Sequence, residues 1–64
     1  MRIDKYTIIY TKGAADLMTQ IVPAQALWVP PAGTVIVFPG GVKEIVGTVE
    51  FHPVVAEIWV RLAR

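Results

Sequence analysis

The sequence predicts a mainly β fold, a small α+β domain with four to five short antiparallel strands and one short helix after the first strand. Valine and isoleucine dominate the apolar residues while leucine is scarce, which favours strands. Several segments alternate between apolar and polar residues with a period of two. Glycine and proline separate these segments. A curled sheet or an SH3-like barrel fits this pattern best, and 64 residues allow a single domain spanning 1–64.

The first strand is predicted for Asp4 to Thr11. Its alternation places Tyr6, Ile8 and Tyr10 on one face. Gly13 follows and ends the pattern.

The predicted helix covers Ala14 to Ile21. Its apolar residues follow the spacing i, i+3, i+4 and i+7, which produces one apolar stripe on a helix. Asp16 falls in the first turn, where a negative charge suits the helix dipole, and Pro23 ends the element. Two turns are too short to be stable alone in water, so this helix would have to pack on the sheet.

The middle of the chain predicts a covered strand followed by a tight turn. Ala24 to Val29 suits a short strand or an extended segment. Thr34 to Phe38 is apolar on both faces, which is typical of a central strand covered on both sides. Pro39 and Gly40 match the two central positions of a type II turn.

Two further strands complete the predicted sheet. Val42 to Phe51 is the partner of the covered strand, and Gly47 within it suggests a bulge. His52-Pro53 marks a break, because the residue before proline disfavours helical geometry. Val54 to Leu62 shows the most regular alternation in the chain.

Composition indicates a chain that associates with protein. It is 55% hydrophobic and 17% charged, against a usual charged share of about 25%. A domain of this size needs a staple, and the sequence has no cysteine and a single histidine, so neither a disulfide nor a structural zinc site is expected. Oligomerisation or docking to a partner is the remaining way to stabilise so small a domain. The net charge is +1 and scattered, which makes nucleic acid an unfavoured partner.

The catalytic inventory is small. The chain has no serine, cysteine or asparagine, which excludes Ser-His-Asp and Cys-His arrangements. His52, assisted by Glu50 two positions earlier, is the one candidate general base, but a turn histidine beside proline is the favoured interpretation. We therefore expect a non-enzyme with no catalytic, cofactor-binding or metal-binding residue and no cofactor.

The segment from Ile21 to Gly33 is the predicted contact surface because it carries no charge and holds Trp28 between two apolar neighbours. The alternative is that it folds back and closes its own core. Trp59, on the polar face of its strand, is a further candidate. The predicted interface residues are Ile21, Leu27, Trp28, Val29, Pro30, Pro31 and Trp59.

The leading functional hypothesis is a non-enzymatic structural or assembly subunit that self-associates or docks on a larger particle, with a virion capsid or tail component as the favoured setting. One rival is a β-barrel module that binds a peptide or nucleic acid through Tyr6 and Tyr10. A second rival is an accessory subunit of an enzyme.

Location is expected to be the cytoplasm or a virion. The N-terminus has no apolar region of the kind that a signal peptide requires. The uncharged stretch from Leu17 to Val42 is long enough to span a bilayer, but four prolines interrupt it, so no membrane span is expected.

Overall fold

The structure, a computed structural model, describes residues 3–63. Five strands form one curled sheet in the order β2-β1-β5-β4-β3, an open half-barrel. The prediction of a mainly β fold with a curled sheet is confirmed. In the described part of the chain, no helix has the length and apolar character needed to cross a membrane. The strands are β1 (Lys5–Lys12), β2 (Ala15–Pro23), β3 (Val35–Val37), β4 (Lys43–His52) and β5 (Glu57–Leu62), with two 3-10 turns at Ala24–Ala26 and Pro53–Val55.

The helix predicted for Ala14 to Ile21 is wrong, because this segment forms β2. Gly13, with a φ of +61°, turns the chain back so that β2 pairs antiparallel with β1 along its length. A ladder with β1 pairs the backbone groups along one side of this nine-residue strand, whereas a two-turn helix would leave most of its terminal groups unpaired. The apolar stripe is accordingly divided: Met18 packs against the core, and Ile21 is exposed.

The expectation of an entirely antiparallel sheet is also wrong for one pair of neighbouring strands. β1 and β5 lie side by side and run parallel, with Ile8 opposite Ile58 and Tyr10 opposite Val60. The first and last strands of the chain are therefore neighbours inside the sheet, with β5 at its centre. A parallel pair needs a crossover rather than a hairpin, and residues 13–56 supply it.

The core lies on the concave face of the half-barrel. β1 and β5 contribute most of it, and the ring of Phe38 meets that of Tyr10 edge-on at 5.7 Å between centroids. Each such fully buried apolar side chain contributes roughly 1.5–3 kcal/mol. The buried hydrophobic residues are Ile8, Tyr10, Phe38, Val46, Ile58, Val60 and Leu62.

The segment between β2 and β3 packs against this core. The N–H of Ala24 donates to the carbonyl of Asp4 at 2.9 Å and holds the segment to the start of β1. Leu27 and Val29 pack against the buried cluster, and Pro30 is fully buried. The strand or extended segment predicted for 24–29 thus begins instead as a 3-10 turn.

Two local predictions in the second half of the chain agree with the structure. Gly41 donates its N–H to the carbonyl of Phe38 at 3.0 Å while Gly40 has a φ of +95°, as a type II turn requires. The pairing of β4 with β5 shifts register between Val46 and Thr48, which places a bulge at Gly47. A Cβ at this position would lie 3.2 Å from a backbone oxygen of β5, so a side chain would crowd the bulge.

The last predicted strand is longer than the observed one. Pro53–Val55 forms a 3-10 turn, and Ala56 adopts a left-handed conformation with a φ of +53°. These residues reverse the chain between β4 and β5, so the strand begins at Glu57 instead of Val54.

Candidate docking surface at the β3 edge

β3 lies at the edge of the sheet, which contradicts the prediction of a central strand covered on both sides. Its inner face does meet the core, because Ile36 packs against the buried cluster. Its outer face is open: Val35 is 55% exposed and Val37 is 61% exposed. A segment with the composition of a fully buried strand therefore has one uncovered face and one unpaired edge.

The hydrogen bonds that flank β3 show which backbone groups are unpaired. Thr34 accepts a hydrogen bond from the N–H of Val46 at 2.9 Å, and Phe38 donates to the carbonyl of Val42 at 2.8 Å. In an antiparallel ladder such pairs recur at every second residue, so the even positions are bonded to β4. The N–H and C=O groups of Val35 and Val37 consequently point away from the sheet.

Three exposed apolar side chains form one surface here, the β3 band, defined as Val35, Val37 and Ile45. Val35 lies directly opposite Ile45, in a non-hydrogen-bonded pair whose side chains are close together. Ile45 is 51% exposed. Lys43, opposite Val37, places a charge at the end of this band, and no charged residue occurs between Thr34 and Phe38.

The opposite edge, β2, carries features that discourage pairing. Its register with β1 breaks by a bulge between Tyr10 and Thr11, Asp16 adds a charge, and Pro23 removes a donor. Bulges, charges and proline are the devices that natural sheets use to blunt an edge. The positions of β2 whose backbone groups point away from β1 include Thr19 as well as Ile21, so they are more polar than the corresponding positions of β3. β3 is short, with three residues, but it has no bulge, charge or proline within them.

The predicted interface residues are divided by the structure. Ile21 and Pro31 are exposed, and Trp28 is 66% exposed. Leu27 and Val29, on either side of Trp28, pack against the core together with the buried Pro30. The part of the segment around Leu27, Val29 and Pro30 thus closes the chain's own core, whereas the contact role of the exposed residues stays a prediction.

Trp59 belongs to a polar network on the convex face of β4 and β5. Its indole N–H donates to Glu57 at 3.1 Å, and the guanidinium of Arg61 lies 5.4 Å from the centre of its ring. Arg61 also binds the carboxylate of Glu50, which contacts His52 Nε2 at 3.2 Å. The partners of Trp59 explain its place on a polar strand face.

The contact between Glu50 and His52 does not form a favourable general base. Hydrogen bonds from Arg61 and then from His52 hold the pKa of Glu50 below its ordinary value, so the carboxylate is a weaker base than a free one. Both side chains lie on an open strand surface, and neither lines the cleft beside the turn at Pro39 or the cleft beside the 3-10 turn at Pro53–Val55. A base needs a positioned substrate and a pocket.

The candidate ligand face at Tyr6 and Tyr10 is taken up by aromatic packing. Tyr10 is buried, and burial raises the pKa of its phenol. The half-buried ring of Tyr6 lies 5.5 Å from that of Phe51. Both contacts favour the alternative that these tyrosines form a core face.

The open side of the half-barrel holds an apolar cleft of about 290 Å³, lined by Leu17, Met18, Phe38, Pro39 and Val42. It has no charged side chain, so it lacks the convergent polar groups that orient a small ligand. Among residues 3–63, no cluster of three or more acidic, histidine or cysteine side chains is arranged to hold a metal ion. The chain matches no protein family, no curated protein and no solved structure, so its function is argued from this geometry.

Trp28→Ala tests which part of the contact segment supports the fold. Because two thirds of this side chain is exposed, the variant should lose about 1 kcal/mol or less of unfolding free energy. Chemical denaturation followed by circular dichroism measures the loss. A loss of about 3–5 kcal/mol, the usual cost of removing a core tryptophan, would place Trp28 in the core instead.

Proposed function

We propose that the chain is a non-enzymatic assembly subunit that self-associates through the β3 edge. The observation that carries the proposal is the composition of β3. Five successive residues from Thr34 to Phe38 suit a strand covered on both faces, yet the outer face and the edge are open in the single chain. Association through this edge would pair its free backbone groups and place a second strand beside the exposed side chains.

The energetics of a small domain support the same proposal. A 64-residue chain buries only about 60% of the surface that its unfolded form exposes. It has no cysteine to form a disulfide. The hydrogen bonds and the lateral side-chain contacts of a paired β3 edge would add the stabilisation that such domains usually obtain from a disulfide or a metal site. A capsid or tail position in a virion is the setting that we propose, and it stays a prediction.

Val37→Lys is expected to abolish self-association while the fold survives. A lysine here would place its charge beside the apolar side chains of the second β3 strand and next to Lys43, and natural sheets use lysine on edge strands to prevent edge pairing. Association should weaken by at least about 2 kcal/mol, or roughly 30-fold. Light scattering after size exclusion, over a range of concentrations, measures it.

Val54→Lys is the matched control, because Val54 is 95% exposed and lies outside the β3 band. It introduces the same charge and should associate as the wild type does. A wild-type chain that is monomeric at high micromolar concentration, with a cooperative melt, would contradict the proposed function. Equal association of the two lysine variants would place the contact elsewhere on the surface.

A further inference from the structure

We propose that two copies of the chain join their β3 strands antiparallel about a two-fold axis that passes through Ile36. This inference rests on the proposed self-association and specifies its geometry. Val35 of one copy lies opposite Val37 of the second copy, and the relation repeats on the other side of the axis. The two five-stranded half-barrels then share one continuous sheet of ten strands, and β3 becomes a central strand.

The register follows from the direction of the backbone groups. The bonds at Thr34 and Phe38 assign the even positions of β3 to β4, so Val35 and Val37 carry the outward N–H and C=O groups. An antiparallel neighbour can bond these groups only with outward groups of its own. Pairing Val35 with Val37 of the second copy uses all of them and forms four hydrogen bonds. In a register shifted by two residues, either Val35 would face Val35 of the second copy or Val37 would face Val37. The other position would then have no partner within β3.

The side chains are complementary in the same register. The β3 bands of the two copies meet on the outer face and produce one apolar strip of six side chains, each more than half exposed in the single chain. On the inner face, Ile36 meets its own counterpart at the axis. Lys43, opposite Val37 on the side away from the junction, stays at the end of the strip, so no like charges face each other.

The β3 edge of a second copy is a better partner for β3 than the β2 edge of a second copy would be. Pairing β3 with β2 of another copy would leave one edge free on each chain, and such head-to-tail contacts form rings or open filaments. β2 carries a bulge, Asp16 and Pro23, and these features discourage the pairing of another strand with it. Two β3 strands close the contact with two-fold symmetry, the commonest arrangement among soluble oligomers.

Cysteine cross-linking tests the register, because the chain has no cysteine of its own. Val35→Cys and Val37→Cys chains are prepared separately, one of them with a mass tag, and oxidised with oxidised glutathione alone and as a mixture. In the proposed register the two different positions lie about 5.5 Å apart between Cα atoms, within disulfide range. Identical positions lie two residues apart along the strand, about 8 Å, beyond that range.

The expected product is a covalent dimer that contains one chain of each variant, at least tenfold enriched in the mixture over either sample alone. Val54→Cys gives the rate of random collision. A Val35→Cys or Val37→Cys homodimer that forms faster than the mixed dimer would overturn the register. A chain that dimerises by light scattering but cross-links at β3 no faster than Val54→Cys would overturn this inference and leave the proposed function intact. A monomeric wild type would overturn both.

Discussion

Ile58→Ala is expected to unfold the chain at ambient temperature. Ile58 is 1% exposed and lies between Ile8 on β1 and Phe51 on β4. Removing a buried isoleucine side chain costs about 2–5 kcal/mol, and the core of a domain below about 70–80 residues rarely supplies more than about 3–5 kcal/mol. The substitution therefore removes most or all of the stability. Far-ultraviolet circular dichroism during a thermal melt measures the loss.

Val54→Ala is the control for this variant, because Val54 is 95% exposed and its truncation leaves the core unchanged. It should melt within a few degrees of the wild type. A cooperative melt of Ile58→Ala close to that of the wild type would show that β5 is not the centre of the core. Since the proposed dimerisation would also raise the melting temperature, both variants are compared at equal chain concentration.

Local signals in the sequence predicted local structure well. Pro39 favours the turn through its fixed φ and Gly40 through its tolerance of a positive φ, and Gly47 permits a bulge through the absence of a side chain, so these signals are local. The helix at Ala14 to Ile21 failed for the opposite reason. Its apolar spacing suits one helical stripe, but the adjacent β1 offers a continuous ladder, and the sequence of the segment does not contain that partner.

The candidate docking surface was only partly visible in the sequence. The apolar run from Thr34 to Phe38 was recognised, and it predicted cover on both faces. Sequence reasoning missed Val35, Val37 and Ile45 as candidate contact residues, because strand order decides which strand becomes an edge and the structure places β3 outermost. The signal in the sequence is the apolar run itself. It indicates contact residues only when combined with the edge position that the structure reveals.

The polar network on the convex face shows the same limit. Glu50 and His52 were placed on one strand face by their spacing of two, and they do contact each other. Arg61, which binds Glu50 and lies over Trp59, comes from the neighbouring strand. Its position depends on the register after the bulge at Gly47, which alternation along a single strand does not determine.

Phe38→Ala is expected to detach β3 from the core and to remove self-association with it. The ring of Phe38 is 8% exposed and meets Tyr10 edge-on, while its N–H anchors the start of the turn to Val42. Truncating a buried phenylalanine costs about 3–5 kcal/mol, so the unfolding free energy should fall by this amount. Without a fixed β3 strand, the outward groups of Val35 and Val37 no longer form a pairing edge.

Phe38→Leu separates the two effects, because it keeps an apolar side chain in the same place and should lose less stability than the alanine variant does. It is expected to remain folded and to associate nearly as the wild type does. Amide hydrogen exchange by NMR distinguishes local from global opening: in Phe38→Ala the Ile36 N–H, bonded to β4, should lose protection before that of Val60. Phe38→Ala chains that melt and associate like the wild type would show that β3 is held in place without this ring.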